Sequence, residues 1–367
     1  MNFYELDDSV KKVILRIEVG KQGEILDIKS GMCGDVYVFD HGAATSPRFT
    51  CAKIPKKSKN ANEDEINSRF INELKNQLKY YHHQYVHWAF DFKEVMGVPV
   101  ALFRYWGSDL REVINKQDQA DIKKLSILAY LCSGLRHCYS KGLISHQDLK
   151  PENIFIRNMR NDFRDLPALD VYDFPLLGDF GLANAFIDSN HFCGARPYMA
   201  PEQWLNQHLS IKTDIFALGV ILCELMSNGY HPVGIRLSDY WPKPIKGNSQ
   251  KWKDKDAWEN WSLNGSKIAQ EIESKVDIEI LELIRKMLST SPECRPSLDE
   301  VLTALLDIIS KYNSNSHAQT SFLIKYFDSQ VSQESFEDQW PSLYHRWVKF
   351  EEKFGKNSND SQTSLTI

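Results

Sequence analysis

A single proline constrains this chain more than any other residue. In His146-Gln147-Asp148-Leu149-Lys150-Pro151-Glu152-Asn153, Pro151 fixes its own φ and keeps Lys150 extended, so the stretch must run as loop rather than helix. A second carboxylate follows at Asp179-Phe180-Gly181. Phosphoryl transfer needs a base for the acceptor hydroxyl, a cation near the phosphates and oxygen ligands for Mg²⁺. Asp148, Lys150, Asn153 and Asp179 supply the base, the cation and two metal ligands. A polar turn between apolar runs would explain the loop alone. It would not explain Asp-Phe-Gly, Ala200-Pro201-Glu202 and a lysine-bearing strand upstream.

With the motifs in this order, the chain resembles a eukaryotic-type protein kinase over about residues 20–310, and His-x-Asp-Leu-Lys-Pro-Glu-Asn resembles the Ser/Thr branch. The resemblance implies an α+β, bilobal protein-kinase fold: a small antiparallel-sheet N-lobe with one helix, and a larger, mainly helical C-lobe. The expected divisions are a lead-in at 1–20, the N-lobe at 21–104, the C-lobe at 105–312 and a tail at 313–367. Aromatics at 322–327 and 336–354 suggest tail helices packed on the C-lobe, with a polar, disordered end from about Gly355.

Composition narrows the setting. With 367 residues, 42 % hydrophobic, the chain can bury a substantial core. A net charge of −5 gives no whole-chain basic footprint for nucleic acid or anionic membrane. Seven cysteines (33, 51, 132, 138, 193, 223, 294) without Cys-x-x-Cys read as reduced thiols in a cytoplasmic compartment. The first residues lack a signal-peptide pattern. The longest apolar run, 215–226, is broken by Glu224 and too short to span a bilayer, so a soluble chain is expected.

The hairpin around Gly31 and Gly34, returning through Val36, has glycines that let backbone N–H groups approach phosphates. Lys29 replaces the first glycine of the kinase pattern. The strand 49–54 carries Lys53, similar to the family lysine at the α/β-phosphates, and Cys51 at the roof of the adenine site. A helix over 62–81 places Ile66, Phe70, Leu74 and Leu78 on one face. By resemblance Glu73 is the ion-pair partner of Lys53, while Gln77 falls where the family stacks an apolar residue, leaving that helix in want of a partner. Strands at 87–95 and 98–105 lead to a hinge at Tyr105 whose backbone would hold adenine, and Phe155 would floor that site. The segment 157–175 reads as an inserted loop.

Between Gly181 and Glu202 only Ser189 and Tyr198 carry hydroxyls, and Gln147 replaces the arginine that would read a loop phosphate. This argues against a loop-phosphorylation switch. Ala195 stands where Ser/Thr kinases usually have threonine, removing a hydrogen bond of about 1–2 kcal/mol. The resemblance implies that Glu202 pairs with Arg295. Trp241, Trp252, Trp258 and Trp261 among lysines form a C-lobe surface or a protein-docking site, with nucleic acid disfavoured by interleaved acids. The reading is a kinase using ATP and Mg²⁺ on serine/threonine of protein substrates. Its rival is a nucleotide-binding pseudokinase acting as a scaffold through the tryptophan-rich surface and tail.

Overall fold

Side-chain alternation sets the architecture of the small lobe. Strands β1 (Glu24–Ser30), β2 (Gly34–Asp40), β3 (Phe49–Pro55), β4 (Asp91–Val95) and β5 (Val98–Arg104) form an antiparallel sheet in the order β1-β2-β3-β5-β4. Tyr37, Phe39, Ala52, Ile54, Val100 and Leu102 share one core with Leu15 of helix α1 (Asp8–Glu18) and with Val19, which caps its C-terminal end. The intervening Val38, Cys51, Ala101 and Phe103 join another with Phe70, Ile71, Leu74 and Leu78 of helix α2 (Glu63–Lys79). Residues i and i+2 of a strand share a face, so Lys53 points as Cys51 does, toward α2. Phe3, Leu6, Leu15 and Val19 of the expected lead-in therefore help complete the lobe rather than merely preceding it.

The computed structural model describes residues 3–21, 23–30, 34–57, 62–116, 118–184, 194–237, 251–332 and 334–355. It divides into two units, the smaller comprising the chain through Tyr81, Trp88–Trp106 and Ser332 onward, the larger His82–His87 and Gly107–Val331. Met96 and Gly97, both with positive φ (50° and 81°), form the two-residue turn between β4 and β5. The expected strand 87–95 starts only at Asp91. His82–His87 belongs to the larger unit, where the His87 N–H donates to Leu177 O at 2.8 Å.

In the larger unit α3 (Leu110–Asn115) and α4 (Asp121–Ser140) precede the catalytic-loop sequence. Strands β6 (Ser108–Asp109), β7 (Ile154–Asn158) and β8 (Asp173–Leu177) form a second antiparallel sheet. Beyond them come α5 (Pro201–Trp204), α6 (Ile211–Met226), α7 (Lys255–Leu263), α8 (Gln270–Glu273), α9 (Ile278–Met287), α10 (Leu298–Tyr312) and α11 (Ser314–Ser329). Helix α6 is apolar nearly all round and buried accordingly. Ser297 and Glu300 cap α10 reciprocally. Among the described residues no helix is long and apolar enough to cross a membrane.

The inserted loop is shorter than the sequence suggested, because Arg157, Asn158 and Asp173–Pro175 pair in the β7–β8 hairpin. Arg160 closes the remainder by donating to the carbonyls of Leu166, Pro167 and Leu169 at 3.2, 2.5 and 3.0 Å.

The tryptophans of 252–261 are largely interior. Trp252 and Trp258 are buried, with Trp258 Nε1 donating to Trp252 O at 2.8 Å. Buried indoles offer no stacking surface to bases or to a docking protein. Trp241, Lys243 and Lys246 lie outside the described residues. Trp258 and Trp261 pack edgewise on the ring of His231, which donates through Nε2 to Pro197 O (2.9 Å) and accepts from Val233 N–H at Nδ1 (3.2 Å). Both nitrogens of a neutral ring are thus engaged, and burial pushes the imidazole down to about 3. The unfolded chain takes up this proton near pH 6.5 and the folded one does not, so stability present above that pH is lost as pH falls toward 3. The expected slope is about 1.4 kcal/mol per pH unit. Urea unfolding of wild type and His231→Gln across this window measures it as the difference in slope.

The tail divides between the two units. Helix α11 packs on α4 and α10 in the larger one. The expected 336–354 segment is broken by Pro341 into α12 (Phe336–Gln339) and α13 (Pro341–Phe354). Contrary to the expectation of packing on the C-lobe, Leu343, Trp347, Phe350 and Phe354 of α13 enter the small-lobe core beside α2. Their apolar stripe was legible, but its destination was not. The expected disordered end, 356–367, lies outside the described residues.

Candidate active site

In the small lobe, Lys53 sits on β3 opposite Val36 of β2, and Val36 in turn opposite Lys29 of β1. Lys53 Nζ forms an ion pair with Glu73 Oε1 on α2. Gln77, one turn further, is buried in the seated helix. Gly34 is required whatever the loop binds, since a Cβ there would lie 2.6 Å from Ile54 O. Gly31, with Met32 and Cys33, lies outside the described residues. Burial pushes the Cys51 thiol up to about 12 against the smaller opposing pull of Lys53 and Lys29. It is packed as a protonated thiol in the core between the sheet and α2. The Tyr105 N–H donates to Phe49 O at 3.2 Å and is engaged within the lobe. Its ring lies under the Lys29 ammonium, 5.5 Å from the centroid.

In the larger unit three donors converge on the Asp148 carboxylate. Oδ2 accepts from Lys150 Nζ at 2.5 Å and from Asn153 Nδ2 at 3.1 Å, and Oδ1 accepts from the Ala195 N–H at 2.8 Å. Residue 195 thus orients the carboxylate through its backbone, without a hydroxyl. Burial alone would lower the Lys150 pKa, but the charge and hydrogen bond of Asp148, with Asp179 and Glu152 beyond, raise it. Asn153 Nδ2 also donates to Asp148 O at 2.9 Å. This turns the amide nitrogen toward Asp148 and leaves the carbonyl oxygen as the donor atom for a cation. The Gly178 N–H donates to Asn153 O at 2.9 Å, which brings the next residue, Asp179, beside Asn153. An amide oxygen and a carboxylate are hard ligands that fit Mg²⁺. Phe155 on β7 packs against the His87 ring, with centroids 4.7 Å apart.

Two non-glycine residues here adopt positive φ, Gln147 (69°) and Asp179 (58°), a conformation costing about 1–3 kcal/mol and maintained only by firm surroundings. Asp214, in the first turn of α6, supplies much of that support. It accepts from Ser145 Oγ (3.1 Å), Tyr139 Oη (2.8 Å) and the backbone N–H of His146 (2.7 Å) and Gln147 (3.2 Å). Burial raises its pKa, opposed by the charge of His146 and these hydrogen bonds. Gln147 Nε2 donates to Leu182 O at 2.7 Å, so a neutral amide ties the loop to the segment after Asp-Phe-Gly.

Sequence reasoning missed one cluster. Arg111 donates to Glu152 (2.9 Å) and Glu224 (2.8 Å), and Tyr198 Oη donates to Glu224 (2.6 Å). The signal was available, since a glutamate inside an apolar helix must find a partner. Tyr198 is buried by this arrangement, and Ser189 lies outside the described residues. Nearby, Arg295 pairs with Glu202 through two bonds of 2.7 and 2.8 Å, both side chains buried.

Residues 26–305 match the family model for the protein kinase domain. The chain is 31 % identical over 182 residues to serine/threonine-protein kinase grp of Drosophila melanogaster, covering 47 % of this chain and 29 % of that protein. It is 30 % identical over 205 residues to the interferon-induced, double-stranded RNA-activated protein kinase of Mus musculus, covering 54 % and 32 %. Against serine/threonine-protein kinase pkn3 of Myxococcus xanthus it is 31 % identical over 131 residues, covering 33 % and 22 %. The chain thus spans less than a third of the length of these curated relatives. The family match runs from β1 past the Glu202–Arg295 pair, and the chain belongs to the protein kinase family.

Proposed function

We propose that this chain transfers the γ-phosphoryl group of ATP to serine or threonine hydroxyls of protein substrates. Asp148 takes the hydroxyl proton, and Lys150 and Lys53 meet the phosphate charge, with Glu73 orienting Lys53. Asn153 and Asp179 would hold Mg²⁺, which when bound supplies charge to the phosphate oxygens. By resemblance Gly31, Gly34, Val36, Cys51, Tyr105 and Phe155 would be the nucleotide's contacts. The observation that carries the reading is the Asp148 carboxylate, held at both oxygens by Lys150, Asn153 and the Ala195 N–H. A scaffold would not need a base so constrained, and the buried Trp252 and Trp258 weaken the docking surface that a scaffold would use.

The test begins with thermal shifts of the full chain in ATP, with and without Mg²⁺. Transfer of labelled phosphate to a generic protein and acid hydrolysis to phosphoamino acids follow. A Mg²⁺-dependent shift with phosphoserine or phosphothreonine is expected. Phosphotyrosine alone would overturn the specificity, and a shift without transfer would favour the pseudokinase.

A further inference from the structure

Helix α2 must hold Glu73 against Lys53, yet its buried side includes the polar Ser68 and Gln77 as well as Glu73 itself. The sheet alone therefore covers a helix with interrupted apolar character. Helix α13 adds what is missing. Leu343, Trp347, Phe350 and Phe354, at spacings of four, three and four, make one helical stripe in the same core as Phe70, Ile71, Leu74 and Leu78. A Cβ on Gly355, which ends α13, would lie 3.3 Å from Ile71 Cγ2, so the end of the helix abuts α2 two residues from Glu73. Glu351 pairs with Lys75 of α2 at 2.7 Å. On its other side α13 engages β4. Arg346 pairs with Asp91 at 2.8 Å, Lys353 with Glu94, and Phe92 lies 5.0 Å from the Trp347 ring and 5.4 Å from that of Phe350.

We propose that α13 is a built-in brace that clamps α2 to β4 and so keeps Glu73 on Lys53, with Glu351 and Phe354 as positioning residues for phosphoryl transfer. The structural part stands on the packing alone, while its catalytic consequence rests on the kinase reading above. Each exposed ion pair contributes little. The aromatic stripe supplies the grip, and the pairs fix its register along α2.

Amide hydrogen exchange on the full chain separates this role from general stability. In Phe354→Ala, exchange across Glu63–Lys79 is expected to quicken about tenfold while that of Asp121–Ser140 stays unchanged, with Phe354→Leu restoring most protection. The turnover number should fall about tenfold with the KM for protein substrate unmoved. A gentler variant guards against misfolding: Glu351→Lys should loosen α2, and adding Lys75→Glu should restore it. Unchanged exchange in α2 and unchanged turnover for both variants would overturn the brace. Exchange rising equally in both units would overturn it too, since that is mere loss of stability. If wild type transfers no phosphate, the kinase reading fails, and exchange in α2 still decides whether the brace exists.

Discussion

Asp148→Ala is expected to lower turnover by about 10²–10⁴ without unfolding the chain. In the proposed function the carboxylate is the base, and both its oxygens are engaged by groups that fix its direction. Its loss removes proton transfer and also releases Lys150, whose pKa is raised by Asp148 against the opposing effect of burial. Initial rates of label transfer, with melting curves to verify folding, measure the effect. Transfer at the wild-type rate would remove Asp148 from its role.

Arg295→Ala is expected to cost about 3–5 kcal/mol of stability, because it strands Glu202 in a buried site. The guanidinium makes two bonds to Glu202 and donates to Ser289 O and Lys212 O, each at 2.7 Å. Lysine cannot reproduce that fork, so Arg295→Lys should recover only part of the loss. Replacing both partners together, as Glu202→Leu with Arg295→Met, should cost much less than the sum of the single changes, since no lone charge remains. A double-mutant cycle by urea denaturation reads the coupling, and strict additivity would show that the pair is not the source of the loss.

What the sequence disclosed was chiefly local. The chemistry of 146–153 lies within one loop, and Pro151 forces that loop, so Asp148, Lys150 and Asn153 could be brought together without knowing the fold. The Lys53–Glu73 and Glu202–Arg295 pairs were legible only from resemblance. Partners set by distant sequence were not. Arg111 meets Glu152 and Glu224 across separations of 41 and 113 residues, and no periodicity encodes such a meeting. Helix α13 shows the limit most clearly: its stripe states that it must be buried, and four aromatic or aliphatic residues cannot state against what. Residue 195 teaches a different lesson. A missing hydroxyl suggested a missing hydrogen bond, but every residue other than proline brings a main-chain donor, and here that donor reaches the carboxylate.

The returning helix also bears on how the polypeptide is made. Lys75 and Glu351 are separated by 276 positions, and Asp91 and Arg346 by 255. A ribosome therefore releases the first sheet long before the segment that covers α2 and β4. Until residue 354 has emerged, Phe70, Ile71 and Phe92 keep part of their greasy surface wet, and long-range closure of this kind is slow. Closure of the small lobe therefore waits on a helix that follows its partners by 255 to 276 positions.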